Sequence, residues 1–184
     1  MTPARRTLLA VIAACALPFA VPPLLHAVGW HPAGGKPHGE LMQPPRPLPA
    51  TLFAAPLGTA TDIPGRWHLV VAGAGACDVD CRKLIDAVRR IQVALYKDME
   101  RVDRYWASDL APDAIAGDLA RLRQSQPDLH ALHIEPPQRS ALDLDQAGHR
   151  LYLVDPAGRV VMRYAADEPL RGVLEDLQRL LRFS

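Results

Sequence analysis

Cys77 and Cys81 offer the most chemistry in this sequence. They stand four residues apart in "ACDVDC", where an apolar run gives way to a helical pattern. Two thiols at that spacing can form a structural disulfide, hold a metal or work as a redox couple. Residues four apart in a regular helix have Cβ atoms about 5–6 Å apart. A disulfide wants about 3.5–4.5 Å, so the first turn has to loosen for the pair to close. A purely structural bridge would gain little, because stabilisation grows with the loop closed and this loop is minimal. Redox or metal chemistry is the stronger reading. The helix N-terminus, Arg82 and Lys83 favour a thiolate, while Asp78 and Asp80 oppose one. Cys81 continues the buried stripe of the helix that follows. Cys77 lies in the loop, where it is expected to be nearer solvent and the more reactive of the two.

The elements around the pair follow from hydrophobic period. "RWHLVVAGAG" (Arg66 to Gly75) is a short apolar run bounded by glycine and reads as a buried strand. From Cys81 onward Leu84, Val88, Ile91, Leu95, Met99 and Val102 recur at threes and fours, which predicts a core-facing helix ending near 97–101. "VDRYWAS" (102–108) reads as a second strand and 111–124 as a helix with Pro112 in its first turn. "LHALHIE" (129–135) reads as a third strand. "HRLYLVD" and "RVVMRYA" flank Pro156-Ala157-Gly158 and predict a hairpin. Asp167 is the expected cap of a last helix whose Leu170, Val173, Leu174, Leu177 and Leu181 share a face.

Before this domain the chain changes character. Arg5 and Arg6 precede an uncharged run from Thr7 to Leu25, about the length that crosses a bilayer. The basic residues ahead of it place the N-terminus in the cytoplasm and the rest outside. A transmembrane anchor over 7–27 is expected, with a cleaved signal peptide as the competing reading. "IAAC" around Cys15 resembles a lipoprotein box, but the apolar run continues past it, which favours a buried cysteine in the anchor. Residues 28–64 are rich in proline and glycine and read as a linker. Its His31, His38 and Met42 are potential copper ligands, although scattered linker residues lack the fixed geometry of a metal site. The expected organisation is a cytoplasmic segment 1–6, the anchor 7–27, the linker 28–64 and an α/β domain 65–184. The side beyond the membrane is oxidising, so paired cysteines can persist there as disulfides. A net charge of +1, with 21 basic against 20 acidic residues, gives no basic patch for nucleic acid.

This layout resembles the thioredoxin-like fold (βαβαββα) and, within it, the Sco/SenC group of cytochrome oxidase assembly proteins. The parts that carry the resemblance are the anchor, Gly65-Arg66-Trp67 leading into the first strand, CxxxC at Cys77 and Cys81, and the hairpin "YLVDPAG" (152–158). The resemblance implies that Cys77 and Cys81 act as redox pair and metal ligands, with a histidine shortly before the hairpin as third ligand. His149 is the candidate. It lies three residues before Tyr152, whereas the family histidine lies about five before, where Ala147 stands here. The loop "CDVDC" also lacks the family's prolines. A bend at Gly148 would let His149 turn toward the cysteines. Two thiolates and an imidazole suit Cu(I) rather than structural zinc, which wants four closed ligands. His68, His130 and His133 read as structural.

The resemblance further implies a single-pass protein of the inner membrane, its domain on the periplasmic side. Its partner would be the copper-bearing subunit of cytochrome c oxidase or another assembly factor, to which it delivers copper or whose cysteines it reduces. A general extracytoplasmic thiol-disulfide oxidoreductase and a non-catalytic anchored interaction protein are the alternatives.

Overall fold

The structure, a computed structural model, describes residue 5 and residues 37–48, 65–135, 139 and 148–182. The chain separates into two units, Met1–Lys36 and Pro37–Ser184, and the second holds nearly all that is described. The anchor expected over 7–27, with Cys15 and His31, lies outside the described residues. Among the described residues no helix is long and apolar enough to cross a membrane.

The second unit is built on a six-stranded mixed sheet. Its strands are β1 (Glu40–Pro47), β2 (Trp67–Gly73), β3 (Val102–Ser108), β4 (Leu129–His133), β5 (His149–Val154) and β6 (Arg159–Tyr164). Their order across the sheet is β1-β6-β5-β2-β3-β4. β2, β3 and β4 run parallel, and β5 pairs antiparallel with both β2 and β6. Every residue of β2 and β3 is buried, the expected state of central strands covered on both faces.

Three helices, α1 (Val79–Ala94), α2 (Pro112–Ser125) and α3 (Leu170–Leu181), place apolar residues in one cluster against the sheet. α1 contributes Cys81, Ile85, Val88 and Ile91, and α3 contributes Val173, Leu177 and Leu181. Burying each such aliphatic side chain is worth roughly 1.5–3 kcal/mol. Leu69, Val71, Trp106 and Leu153 meet them from the sheet. The alternate residues Val70, Ala72, Tyr105 and Tyr152 form a second cluster on the opposite face.

Three expectations need correction. The segment expected to be linker throughout 28–64 contains β1, which pairs antiparallel with β6. Proline-rich sequence argues against a strand only where every N–H is needed. β1 is an edge strand whose register shifts between Leu41 and Arg46, and edges and bulges are where proline fits. α1 ends at Ala94 rather than near 97–101. Tyr96 turns to φ +51° and a 3-10 helix follows over Tyr96–Arg101. Met99, expected on the buried stripe, is therefore exposed at 42%, because a helical period places residues only as far as the helix runs. Asp167 does not cap α3, whose N-cap position is Pro169 with no side-chain bond.

The start of the unit is tied to α3. The backbone N–H groups of His38 and Gly39 donate to Asp176 Oδ2 at 2.7 and 3.1 Å. Met42 is buried in the second cluster. His38 and Met42 thus have structural partners, not a shared ligand geometry.

Candidate redox and metal site

β2 delivers the chain to the site. It ends at Gly73, and the next residues turn sharply, with Gly75 at φ +86°, a conformation that glycine adopts freely and residues with a Cβ rarely do. The turn is held by the end of β3, its parallel neighbour. Gly75 N–H donates to Asp109 Oδ1 at 2.8 Å, and the Ser108 hydroxyl donates to the Gly75 carbonyl at 3.0 Å. Asp109 Oδ2 in turn pairs with Arg139 at 2.9 Å. Spacing alone did not reveal these residues. The signal available was their position, since ligand sites in α/β sheets gather at the C-terminal ends of parallel strands.

Cys77 and Cys81 are joined as a disulfide with Cα atoms 5.2 Å apart. Cys77 precedes the N-cap, Asp78, and only Cys81 is helical. The pair straddles the start of α1, so no helical turn has to be distorted. Asp78 accepts the Cys81 N–H at 2.8 Å and satisfies one of the helix's open donors. That bond, chiefly, holds the Asp78 carboxyl below the usual range; desolvation opposes it, and His149 lowers it further.

Cys77 was expected nearer solvent. It is the more accessible of the two, at 4% exposed against 0% for Cys81, although both are buried, because Cys77 also packs into the helix-side core. It also lines an opening of about 340 Å³ together with Arg82, Asp86, Asp118 and Arg121. Arg82 Nη1 donates to the Cys77 carbonyl at 2.8 Å.

His149 comes to this same end of the sheet. It opens β5 directly opposite Gly73. Gly148 before it stands at φ +91°, supplying a bend at the start of the hairpin. The ring lies so close over Gly73 that a Cβ there would fall 2.6 Å from its Cγ and Cδ2. His149 is 7% exposed, and its buried Nε2 has no hydrogen-bond partner. Desolvation lowers its pKa, with Asp78 and Asp109 pulling the other way. A neutral imidazole with a free lone pair is the form that binds metal.

In the oxidised state no group of three or more His, Cys, Asp or Glu among the described residues is placed to hold a metal. Opening the disulfide would free two soft sulfurs at the end of the sheet that carries this open imidazole. The donor types fit Cu(I).

The remaining histidines are placed elsewhere. His68 lies in the first part of β2, edge-on to Tyr105 at 5.3 Å. Burial pulls its pKa down to about 4, against the opposing charge of Asp103. His130 lies against Tyr105 at 5.1 Å, and His133 Nδ1 donates to the Leu110 carbonyl at 2.9 Å.

The family model described as transmembrane-like, thioredoxin-like, C-terminal domain matches residues 67–184. No curated protein matches the chain. Among solved structures the chain is similar to the apo Sco1 protein from Thermus thermophilus. That likeness has 21% identity and a TM-score of 0.57, over 81% of this chain and 99% of that one. It is also similar to Arabidopsis thaliana ScoI with copper bound, at 15% identity and a TM-score of 0.51, over 65% of this chain and 86% of that one. At these identities the likeness shows the thioredoxin-like α/β fold, and the resemblance to Sco proteins is borne out at that level.

Proposed function

We propose that this chain, which belongs to the transmembrane-like, thioredoxin-like, C-terminal domain family, is a membrane-anchored assembly factor for respiratory cytochrome c oxidase. It works from the periplasmic side of the inner membrane through Cys77 and Cys81. Its cargo is Cu(I), delivered to the copper-bearing subunit, or electrons, delivered to that subunit's cysteines. One observation carries the reading: a disulfide at the end of β2 shares that end of the sheet with a buried imidazole whose Nε2 has no partner. A structural bridge has no use for that imidazole, whereas a soft-metal site does. The likeness in fold to a ScoI with copper bound supports it.

As a carrier, the reduced chain would hold the ion with two thiolates and the His149 imidazole, and Asp78 would keep the start of α1 ordered through the Cys81 amide. As a reductant, one thiolate attacks the target's disulfide to form a mixed disulfide. The second thiolate then displaces the target and leaves Cys77–Cys81 oxidised. A general thiol-disulfide oxidoreductase is the second reading, favoured by the opening that reaches Cys77 beside two arginines.

Cu(I) titration of the reduced protein against a chromophoric chelator separates these. The carrier binds about one ion, loses tight binding in Cys77→Ser or Cys81→Ser, and weakens at least about tenfold in His149→Ala. Weak binding unaffected by His149→Ala, together with reduction of insulin, supports the oxidoreductase. A reduced wild type that binds no copper refutes the carrier.

A further inference from the structure

The strand β1 shortens the chain between the expected anchor and the folded domain. With 28–64 as linker throughout, 37 residues would separate the anchor from β2, and a chain of that length extends to about 120–130 Å. β1 intervenes, and the first fastened residue is His38. Ten residues, 28–37, are then left as tether, and ten residues span at most about 35 Å however they run.

The fastening is made at the very start of the strand. Asp176, 2% exposed on α3, accepts the His38 and Gly39 N–H groups at 2.7 and 3.1 Å and the Tyr164 hydroxyl at 3.4 Å. Gly39 lies so close on the Tyr164 ring that a Cβ would fall 2.6 Å from its Cε1. On α3, a Cβ at Gly172 would fall 2.8 Å from His38 Cβ. Further along, Met42 and Leu48 are buried, and Leu48 N–H donates to the Gly158 carbonyl at 2.9 Å.

Strand direction decides which end of the sheet receives the tether. β1 is antiparallel to β6, β6 to β5 and β5 to β2, so β1 starts where β2 ends. That is the end that carries Cys77, Cys81 and His149. His38 and Asp78, the residue after Cys77, border one hollow of about 490 Å³. A strand running the other way would fasten the tether a strand's length away from the disulfide.

We propose that β1 is a clamp that keeps the cysteine end of the sheet close to the membrane. The exchange partner is then a protein of the same membrane, whose reacting thiols lie near the bilayer surface within the reach of that ten-residue tether. The inference rests on the anchored, thiol-exchanging reading and adds where the partner's thiols must stand. A short tether concentrates the site at that height, whereas a tether too short for its target brings no gain.

The full chain with Cys15→Ser, reconstituted in phosphatidylcholine vesicles, tests this. A fluorescent bimane bridged across the reduced Cys77 and Cys81 reports its height above acceptor dyes on the lipid headgroups. Inserting about 30 glycine–serine residues between Lys36 and Pro37 lengthens the tether about fourfold. It should about double the height, since the span of such a linker grows as the square root of its length. The same insert between Gly58 and Thr59, beyond β1, should leave the height at the wild-type value. The unlabelled, oxidised proteins are then placed in vesicles whose lipid headgroups carry a dithiol. One lipid thiolate attacks the Cys77–Cys81 disulfide and forms a mixed disulfide. The second closes the lipid disulfide, so that two electrons and two protons pass from the lipid dithiol to the chain. The insert before β1 should about halve this rate, as the site spreads over twice the height. The insert beyond β1 should not change it, and soluble dithiothreitol should reduce all three proteins alike. Equal effects of the two inserts, or no effect of the first, overturn the inference and leave the anchored reading standing. A chain that does not stay with the vesicles overturns the anchored reading and the inference with it. A disulfide that dithiothreitol does not open does the same to the exchange reading.

Discussion

Gly73→Ala should loosen the site by an overlap that the backbone cannot avoid. The new Cβ would sit 2.6 Å from His149 Cγ and Cδ2 and 2.9 Å from His149 Cα. Ordinary carbon–carbon separations lie at about 3.5–4.0 Å, so the overlap is roughly 1 Å. Rotating the imidazole relieves only the clash with the ring. The His149 backbone belongs to β5, which would have to shift against β2 at the point where Gly73 and His149 face each other. Gly73 has no positive φ, so alanine adds no backbone strain and the cost is steric. Overpacking of this kind costs about 1–3 kcal/mol; about 2 kcal/mol lowers the melting temperature by roughly 4–8 °C in a domain of this size. Urea unfolding of wild type, Gly73→Ala, His149→Ala and the double variant measures the coupling. Gly73→Ala should cost less in the His149→Ala background, where only the clash with the β5 backbone remains. Wild-type stability in Gly73→Ala, or the same loss in both backgrounds, would refute the packing argument. Copper affinity of the reduced Gly73→Ala protein should fall with that of His149→Ala, since both disturb one ligand.

Asp176→Ala removes the acceptor of the His38 and Gly39 amides and should cost about 2–4 kcal/mol, because bonds to a charged group are worth about 1.5–3 kcal/mol each and do not add fully. Limited proteolysis should then cut within 37–47 before the rest of the unit. Stability should fall as the solution is acidified between pH 6.5 and 4. His68, held to about 4 by burial, stays neutral in the fold while the unfolded chain takes up a proton, giving a slope of roughly 1.4 kcal/mol per pH unit. His130 and His149, also lowered by burial, add in the same direction. His68→Gln should flatten the profile in urea titrations at pH 5 and 7, and an unchanged slope would assign the acid sensitivity to other groups. Replacing Asp78 by Ala should cost about 1 kcal/mol as a lost N-cap and speed exchange of the Cys81 amide, which hydrogen-deuterium exchange reads directly.

Local periodicity and turn chemistry carried most of the fold. The largely apolar stretch at 67–73, the stripe from Cys81 to Leu95 and the Pro-Ala-Gly turn between β5 and β6 each appear where their sequence places them, because each is decided by neighbours within a few residues. CxxxC at a helix start is equally local, and the two cysteines close because Cys77 precedes the N-cap Asp78 while Cys81 lies in the first turn. β1 was hidden because proline content describes a segment's own preferences, while an edge strand is stabilised by β6, more than a hundred residues later. The same limit governs the site. That Cys77 is buried, that Ser108 and Asp109 hold its loop, and that His149 settles over Gly73 depend on strands β3 and β5 flanking β2. Sequence spacing supplies the donors and their types. Which of them share one end of the sheet is decided by strand order and register, since a shift of two residues along a strand moves a side chain by nearly 7 Å.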